Sequence, residues 1–245
     1  MYHFFAPGEN GALGEMRLTG QDVNHISRVL RLKVGDEITV SDGQDRDNHC
    51  AITEIGPDFV RVKVLSQSSR ETECPAHFTL FQGLPKGDKM ELILEKAVEL
   101  GAVRVVPVEM KRSVVKLEDK KKQQRRERLQ KLAEAAAKQS GRRLIPEVGE
   151  IVPFRQAVAQ ARDLDRILVP YESAENMTHT REVLSGLRAG QQVGIFIGPE
   201  GGFDPAEIEA LQAAGAEILT LGPRILRTET AGLATLAMCM LWAEP

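Results

Sequence analysis

The sequence predicts an α/β protein whose larger part is built on a mostly parallel sheet, preceded by a small β-rich module. Three observations carry this. DEITVSDG, NHCAITEIG and DFVRVKVL are short runs with alternating apolar residues, punctuated by Asp42-Gly43 and Gly56-Pro57. From residue 76 onward, strand-like runs alternate instead with stretches of helical periodicity. Between the two, SQSSRETECP at 66–75 is polar, aperiodic and ends in proline, as linkers do. The expected division is therefore 1–70 and 76–245.

Within the first part, Thr19 to Gln21 lead into QDVNHISRVLR, where Val23, Ile26, Val29 and Leu30 stand at helical spacing. In the second part HFTLFQG reads as a strand. DKMELILEKAVELGA follows as a helix with Met90, Ile93, Leu94, Ala97 and Val98 on one stripe and Gly101 as its stop. VRVVPV is the next strand, and Leu129, Leu132 and Ala136 give helical spacing to the segment after it. RILVP, the helix THTREVLSGLR, the strand QVGIFIG and the strand EILTL come next, and an apolar helix from about Thr230 to Trp242 closes the chain.

Hydrophobic residues at 42% and charged residues at 27% exclude a disordered or fibrous chain. No run is apolar for long enough to span a bilayer, and MYHFFAPGENG lacks a basic region followed by an apolar one, so no membrane association is expected and the location expected is cytoplasmic. Cys50, Cys74 and Cys239 are odd in number and widely spaced, which argues for buried apolar thiols. The five histidines are equally scattered, so no metal is expected. The net charge of -3 offers nucleic acid no global attraction, but between Lys116 and Arg143 there are eleven Lys or Arg against four Asp or Glu. Such a block is either a phosphate footprint or a solvated helix face.

Two stretches point to a ligand. After the strand VGIFI, the run Gly198-Pro199-Glu200-Gly201-Gly202 removes side chains and permits backbone angles that other residues avoid. Asp204-Pro205-Ala206-Glu207 then starts a helix with Asp204 as N-cap, Pro205 at the first position and Glu207 reaching back. LGPRILRTETA repeats the plan of strand, Gly222-Pro223 and a loop entering a helix. Ligands of open α/β sheets lie at the carboxyl ends of strands, so the two loops are expected to share one pocket. Neither is a GxGxxG or a GxxxxGK[ST] loop, which removes the main support for a dinucleotide or nucleoside triphosphate.

Together IGPEGGF and LGPRILRTETA, supported in order along the chain by HISRVLRLKVGDEITVSDG, GLPKGDKMELILEKAVELG and EAAAKQSGRRLIPEV, closely resemble the RsmE branch of the SPOUT-class methyltransferases. The resemblance covers nearly the whole chain. It implies a small PUA-like β-barrel for RNA binding at 1–70 and a SPOUT domain with a C-terminal trefoil knot at 76–245. It implies S-adenosylmethionine as cofactor, a homodimer with the active site assembled between subunits, and methylation of N3 of a uridine in 16S rRNA of the small ribosomal subunit. Carried over by position, Gly198, Pro199, Glu200, Gly201, Gly202, Leu221, Gly222, Leu226, Arg227, Thr228, Glu229, Thr230 and Ala231 would hold the cofactor. Lys86, Lys89, Arg112, Gln139, Ser140 and Arg142 would face RNA or the partner subunit's active site, with Arg28, Arg31 and Lys33 as phosphate contacts.

For the chemistry, Glu200 or Glu229 is a candidate base, and Arg142 or Arg227 a candidate stabiliser of the pyrimidine anion, Arg142 first. A ribose 2'-O-methyltransferase of the SpoU branch shares the Gly-Glu-Gly loop, but carries an asparagine-containing stretch where this chain has LRTETA. The remaining rivals are an RNA-binding assembly factor without turnover and, more distantly, an NAD-dependent enzyme.

Overall fold

The computed structural model describes residues 2–7, 14–43, 46–67, 72–115, 117–174 and 176–244. Residues 68–71 of the expected linker and Lys116 of the basic block lie outside them. The chain separates into two compact units, one of Met1–Glu73 with Ala137–Ile145, the other of Cys74–Ala136 with Pro146–Pro245. A single cut near residue 70 therefore misses one detail: the segment 137–145 packs with the first unit although the sequence around it belongs to the second.

In the first unit, strands β1 (His3–Phe5), β2 (Glu15–Thr19), β3 (Glu37–Ser41), β4 (Asp47–Ile55) and β5 (Phe59–Gln67) form one sheet in the order β1-β3-β4-β5-β2. Met16 and Leu18 on β2, Ile38 and Val40 on β3, and Val60 and Val62 on β5 alternate with exposed or part-exposed neighbours, and with Phe4, Ile26 and Cys50 they make this unit's core. The periodic stretch after Gly20 is not one regular helix. It is α1 (Gln21–Asn24) followed by a π-helical turn, His25–Val29, in which Leu30 N donates to the His25 carbonyl. Ser27 Oγ takes the Val23 carbonyl at 2.6 Å, and Arg31, at φ 55°, ends the turn in the left-handed region.

Among the described residues, the second unit holds seven strands, β6 (His77–Gly83), β7 (Ala102–Glu109), β8 (Glu147–Val148), β9 (Val152–Pro153), β10 (Arg166–Pro170), β11 (Gln192–Ile197) and β12 (Glu217–Leu219). Their order is β12-β10-β11-β6-β7-β8, with β9 also on β7, and every pairing is parallel. The near-continuous burial along β6 and β11 follows from this, because both faces are covered. The helices are α2 (Lys89–Glu99), α3 (Asp119–Ser140), α4 (Phe154–Ala161), α5 (Met177–Ser185), α6 (Pro205–Ala213) and α7 (Thr228–Ala243). On one face Phe81, Val106, Val169 and Phe196 pack with Ala157 and Val158 of α4 and Ile208 and Leu211 of α6. At paired positions on β6 and β11, the rings of Phe81 and Phe196 stack 4.4 Å apart. Helices α2, α5 and α7 cover the other face, where the fully buried stripe of Met90, Ile93, Leu94, Ala97 and Val98 lies on α2. β8 and β9 escape a reading by periodicity because each is two residues long, whereas α4 does carry a buried stripe of Ala157, Val158 and Ala161.

Candidate functional site

The site begins where β11 ends. The three glycines of the first loop serve different ends, and only Gly202 uses a positive φ, 67°. Gly198 is needed for space, since a Cβ there would lie 3.1 Å from the Gly202 carbonyl carbon and 3.2 Å from the Phe203 nitrogen. A Cβ on Gly201 would press on Arg112 Cβ at 3.0 Å. Behind the loop, Gly83 at the end of β6 is tighter still: a Cβ there would meet the Pro199 backbone nitrogen at 2.6 Å. The expectation that the loop's glycines supply unusual angles therefore holds for one of them, and close backbone approach accounts for the other two.

Side chains then fix the loop. Asp204 and Glu207 form a capping box on α6, with Ala206 N donating to Asp204 Oδ1 at 3.2 Å and Asp204 N to Glu207 Oε2 at 2.9 Å. The chain after β7 joins in. Lys111 N donates to Glu207 Oε1 at 2.9 Å, Lys111 Nζ lies 2.9 Å from Asp204 Oδ2, and Arg112 Nη1 donates to the Gly201 carbonyl at 3.0 Å. The Lys111 ammonium, helped by the Ala206 N–H against partial burial, holds the Asp204 carboxyl below its usual range.

The second loop follows β12 and is tied to the first by a buried relay. Gln82 Nε2 donates to Thr228 Oγ1 at 2.8 Å and to the Gly83 carbonyl at 3.0 Å, while Thr228 Oγ1 donates to the Gly198 carbonyl at 2.6 Å. Gln82 and Thr228 are buried, so these bonds have no water to replace them. At the loop's base Thr180 and Thr220 are doubly bonded, side chain to carbonyl and backbone N–H to hydroxyl, and Gly222 turns the chain at φ 99°.

β11 and β12 are not neighbours in the sheet, because β10 runs between them. The cleft is consequently made by three strand ends. Tyr171, just beyond β10, donates its N–H to the Leu219 carbonyl at 2.9 Å and sets its ring edge-on to Phe203. The resulting cleft of about 900 Å³ is lined by Gly198, Pro199, Glu200, Gly202, Leu221, Gly222, Leu226, Arg227, Thr228 and Ala231 among the residues expected to bind cofactor. Gly201, Glu229 and Thr230, expected there too, do not line it. Tyr171, Glu172, Met177, Phe203, Thr220, Arg224 and Ile225 do, and no motif in the sequence marked the β10 end.

Lys89 lines this cleft as well. Its Nζ sits 3.2 Å from Glu200 Oε1 and 3.3 Å from Glu229 Oε2. The hydrogen bond to Glu200, with a further contribution from Glu229, pushes the Lys89 ammonium above its usual range. For Glu200, partial burial raises the carboxyl, but its own N–H, the Lys86 N–H at 3.1 Å and Lys89 outweigh it and leave the group below the usual range. Arg227 is exposed at the N-cap of α7, and no described hydrogen bond or ion pair engages its side chain.

Other expected site residues stand elsewhere. Arg142 is 3% exposed and does not line the cleft. Its guanidinium grips Glu73 through Nε and Nη2, and the other Glu73 oxygen accepts from the Arg143 and Leu144 backbone. Glu73 thereby holds the segment 137–145 in the first unit. Gln139 and Ser140 are exposed at the end of α3, and Arg28, Arg31 and Lys33 are exposed on and after the π-helical turn.

The family model for an RNA methyltransferase domain matches residues 72–240, and that for an RNA methyltransferase PUA domain matches residues 18–65. The ribosomal RNA small subunit methyltransferase E of Bacillus subtilis is 38% identical over 223 residues, covering 90% of this chain and 87% of that protein. Its namesake from Mycobacterium bovis is 31% identical, covering 89% and 82%. Among solved structures, the ribosomal RNA small subunit methyltransferase E of Neisseria gonorrhoeae, bound to S-adenosyl methionine, superposes with a TM-score of 0.84 at 31% identity over 99% of this chain and 98% of that one.

Proposed function

The chain belongs to the RNA methyltransferase family and is similar throughout its length to its ribosomal RNA small subunit methyltransferase E members, and from that premise we propose that it methylates N3 of a uridine in 16S rRNA of the small ribosomal subunit. The observation that carries the reading is the cleft at three strand ends, floored by glycine backbone and closed by the Gln82–Thr228–Gly198 relay. S-adenosylmethionine fits it. A Cβ on Gly202 would meet nothing within 4 Å except Glu172 Oε1 at 3.9 Å, so the glycine leaves open space on the cleft side, and Ile197, Phe203, Leu221 and Leu226 offer apolar walls to an adenine. When bound, the cofactor supplies an electrophilic methyl group on a sulfonium.

The protein's part is to bind, orient and stabilise charge. Uridine N3 carries a proton in the ground state, and negative charge spreads over the pyrimidine carbonyls as it leaves. We assign the stabilisation of that charge to Arg227, which lines the cleft and whose side chain no described hydrogen bond or ion pair engages. Arg142, first choice from the motif, is committed to Glu73, and Glu229, a candidate base, is committed to Lys89. Arg28, Arg31 and Lys33 are assigned to phosphate contacts.

Closure of the five-stranded sheet into a barrel, a trefoil knot through the cleft loops, a homodimer joined partly by the exposed Leu241 and Trp242 of α7, and a cytoplasmic location complete the proposal. No described helix is long and apolar enough to cross a membrane. The test is nucleoside mass spectrometry of unmodified small ribosomal subunits incubated with the protein and S-adenosylmethionine. New 3-methyluridine is expected. A different methylated nucleoside would overturn the substrate assignment, and none at all, with no cofactor binding, would overturn the enzyme reading.

A further inference from the structure

We propose that Lys89 is a positioning residue that locks the two cleft loops to each other, and not a contact for RNA phosphate. The inference rests on the cofactor reading above. Its ammonium stands between two carboxylates of different elements, Glu200 of the first loop, which lines the cleft, at 3.2 Å and Glu229 of the first turn of α7, which does not, at 3.3 Å. Without a cation between them these two charges would repel each other. The Lys86 N–H, in the loop that leads into α2, also holds Glu200, so the segment from Lys86 to Lys89 grips the first loop twice. Glu229 Oε2 is buried and has no hydrogen bond of good geometry among the described atoms, so Lys89 is the cation that compensates it. The side chain of Lys89 is about a third exposed, at 34%, against 67% for Lys121, and its ammonium already faces two carboxylates.

The lock works alongside the buried relay. Gln82 and Thr228 join the two loops beneath the cleft, while Lys89 joins them at its wall, so the backbone between Gly198 and Gly202 is held from two directions. Removing the ammonium leaves Glu200, on the cleft wall, and Glu229 behind it without the cation they share. The loss should appear first in cofactor affinity.

Full-length wild type, Lys89→Met, Lys89→Arg, Glu200→Gln and the double variant Lys89→Met/Glu200→Gln are compared by calorimetric titration with S-adenosylmethionine and by binding of small-subunit rRNA at several salt concentrations. Wild type must bind S-adenosylmethionine; if it does not, the cofactor reading fails and not this one. The expected result is about a tenfold loss of cofactor affinity in Lys89→Met, partial recovery in Lys89→Arg, and non-additivity of Lys89→Met with Glu200→Gln. The salt dependence of RNA binding should stay unchanged. Additive effects in the cycle, or an RNA salt slope reduced by about one phosphate in Lys89→Met with cofactor affinity intact, would overturn the proposal. Should Lys89→Met fail to fold, Glu200→Gln and Lys89→Arg still decide: cofactor affinity equal to wild type in both would overturn it.

Discussion

The cleft loops and the basic helix α3 are both conspicuous in the sequence, and the fold treats them differently. Gly198 to Asp204 are shaped mainly by their own backbone: a positive φ at Gly202, close approach at Gly198, a capping box from Asp204 to Glu207. Helix α3 is a run of charge, and its charges are largely consumed by partners elsewhere in the chain. Lys122 pairs with Glu109 at 2.7 Å, Arg126 with Glu150 at 3.3 Å, Arg128 with Glu91 at 2.8 Å and Lys138 with Asp22 at 3.0 Å. Arg142, just past the helix, is held by Glu73. Of the block's described cations, Lys120, Arg125 and Lys131 are the ones for which no described hydrogen bond or ion pair engages the side chain. A local excess of positive charge is therefore not in itself an RNA footprint.

The contrast breaks most sharply at Arg227. Arg227→Ala should lower kcat about 100-fold or more with the KM for S-adenosylmethionine changed far less, as removal of a charge-stabilising donor does. Arg142→Ala should instead reduce melting temperature and leave the surviving folded enzyme's kcat near that of wild type. A kcat loss confined to Arg142→Ala would return the catalytic assignment to that residue.

Next in size is Gly83→Ala, which drives a Cβ into the Pro199 backbone. A loss of about 2 kcal/mol of stability is expected from denaturant unfolding, because overpacking against backbone has no rotamer to relieve it. An unperturbed variant would mean that the first loop yields more readily than its hydrogen bonds imply. Thr228→Val, which leaves Gln82 Nε2 and the Gly198 carbonyl short of a partner in a buried site, should cost about 1–3 kcal/mol by the same measurement.

Within α3, alanine at Lys120, Arg125 and Lys131 should each flatten the dependence of RNA affinity on salt by roughly 0.7–0.9 in log-log slope, while alanine at Arg128 should change it much less. Equal effects at all four positions would show that the internal ion pairs open on binding, and would erase the distinction between the helix's two sets of cations.

The smallest expected effect is in pH dependence. The depressed carboxyl of Glu200 contributes stability above its unfolded pKa and loses it as pH falls through the folded value. The raised Lys89 contributes below its unfolded pKa and loses it as pH rises through the folded one. The stability difference between wild type and Lys89→Met should thus be flat between about pH 6 and about pH 9 and narrow in acid. A slope across the neutral range would implicate another titrating group.

Much of the architecture follows from short-range rules. The alternation in β3 to β5, the apolar stripe of α2, the parallel order implied by strands alternating with helices, and the start of α6 at Asp204 each depend on residues within a few positions of one another. The cleft loops were legible for the same reason, since glycine, proline and a capping box act on the backbone where they stand. The π-helical turn at His25–Val29 and the two-residue strands β8 and β9 were not, because a single side-chain bond or two residues leave no period to read.

Longer-range matters belonged to the folded chain alone. The resemblance placed Lys89 among residues facing RNA or the partner subunit's active site, and tertiary structure set its ammonium between Glu200 and Glu229. The resemblance offered Arg142 for catalysis, and the fold sets its guanidinium on Glu73, a carboxylate 69 residues away. Insertion of β10 between β11 and β12 brought Tyr171 and Glu172 to the cleft with no local signal. The physical reason is common to all three: backbone conformation is governed by near neighbours, whereas the energy of a charge depends on whichever opposite charge the fold places within a few ångströms, and sequence distance does not encode that separation.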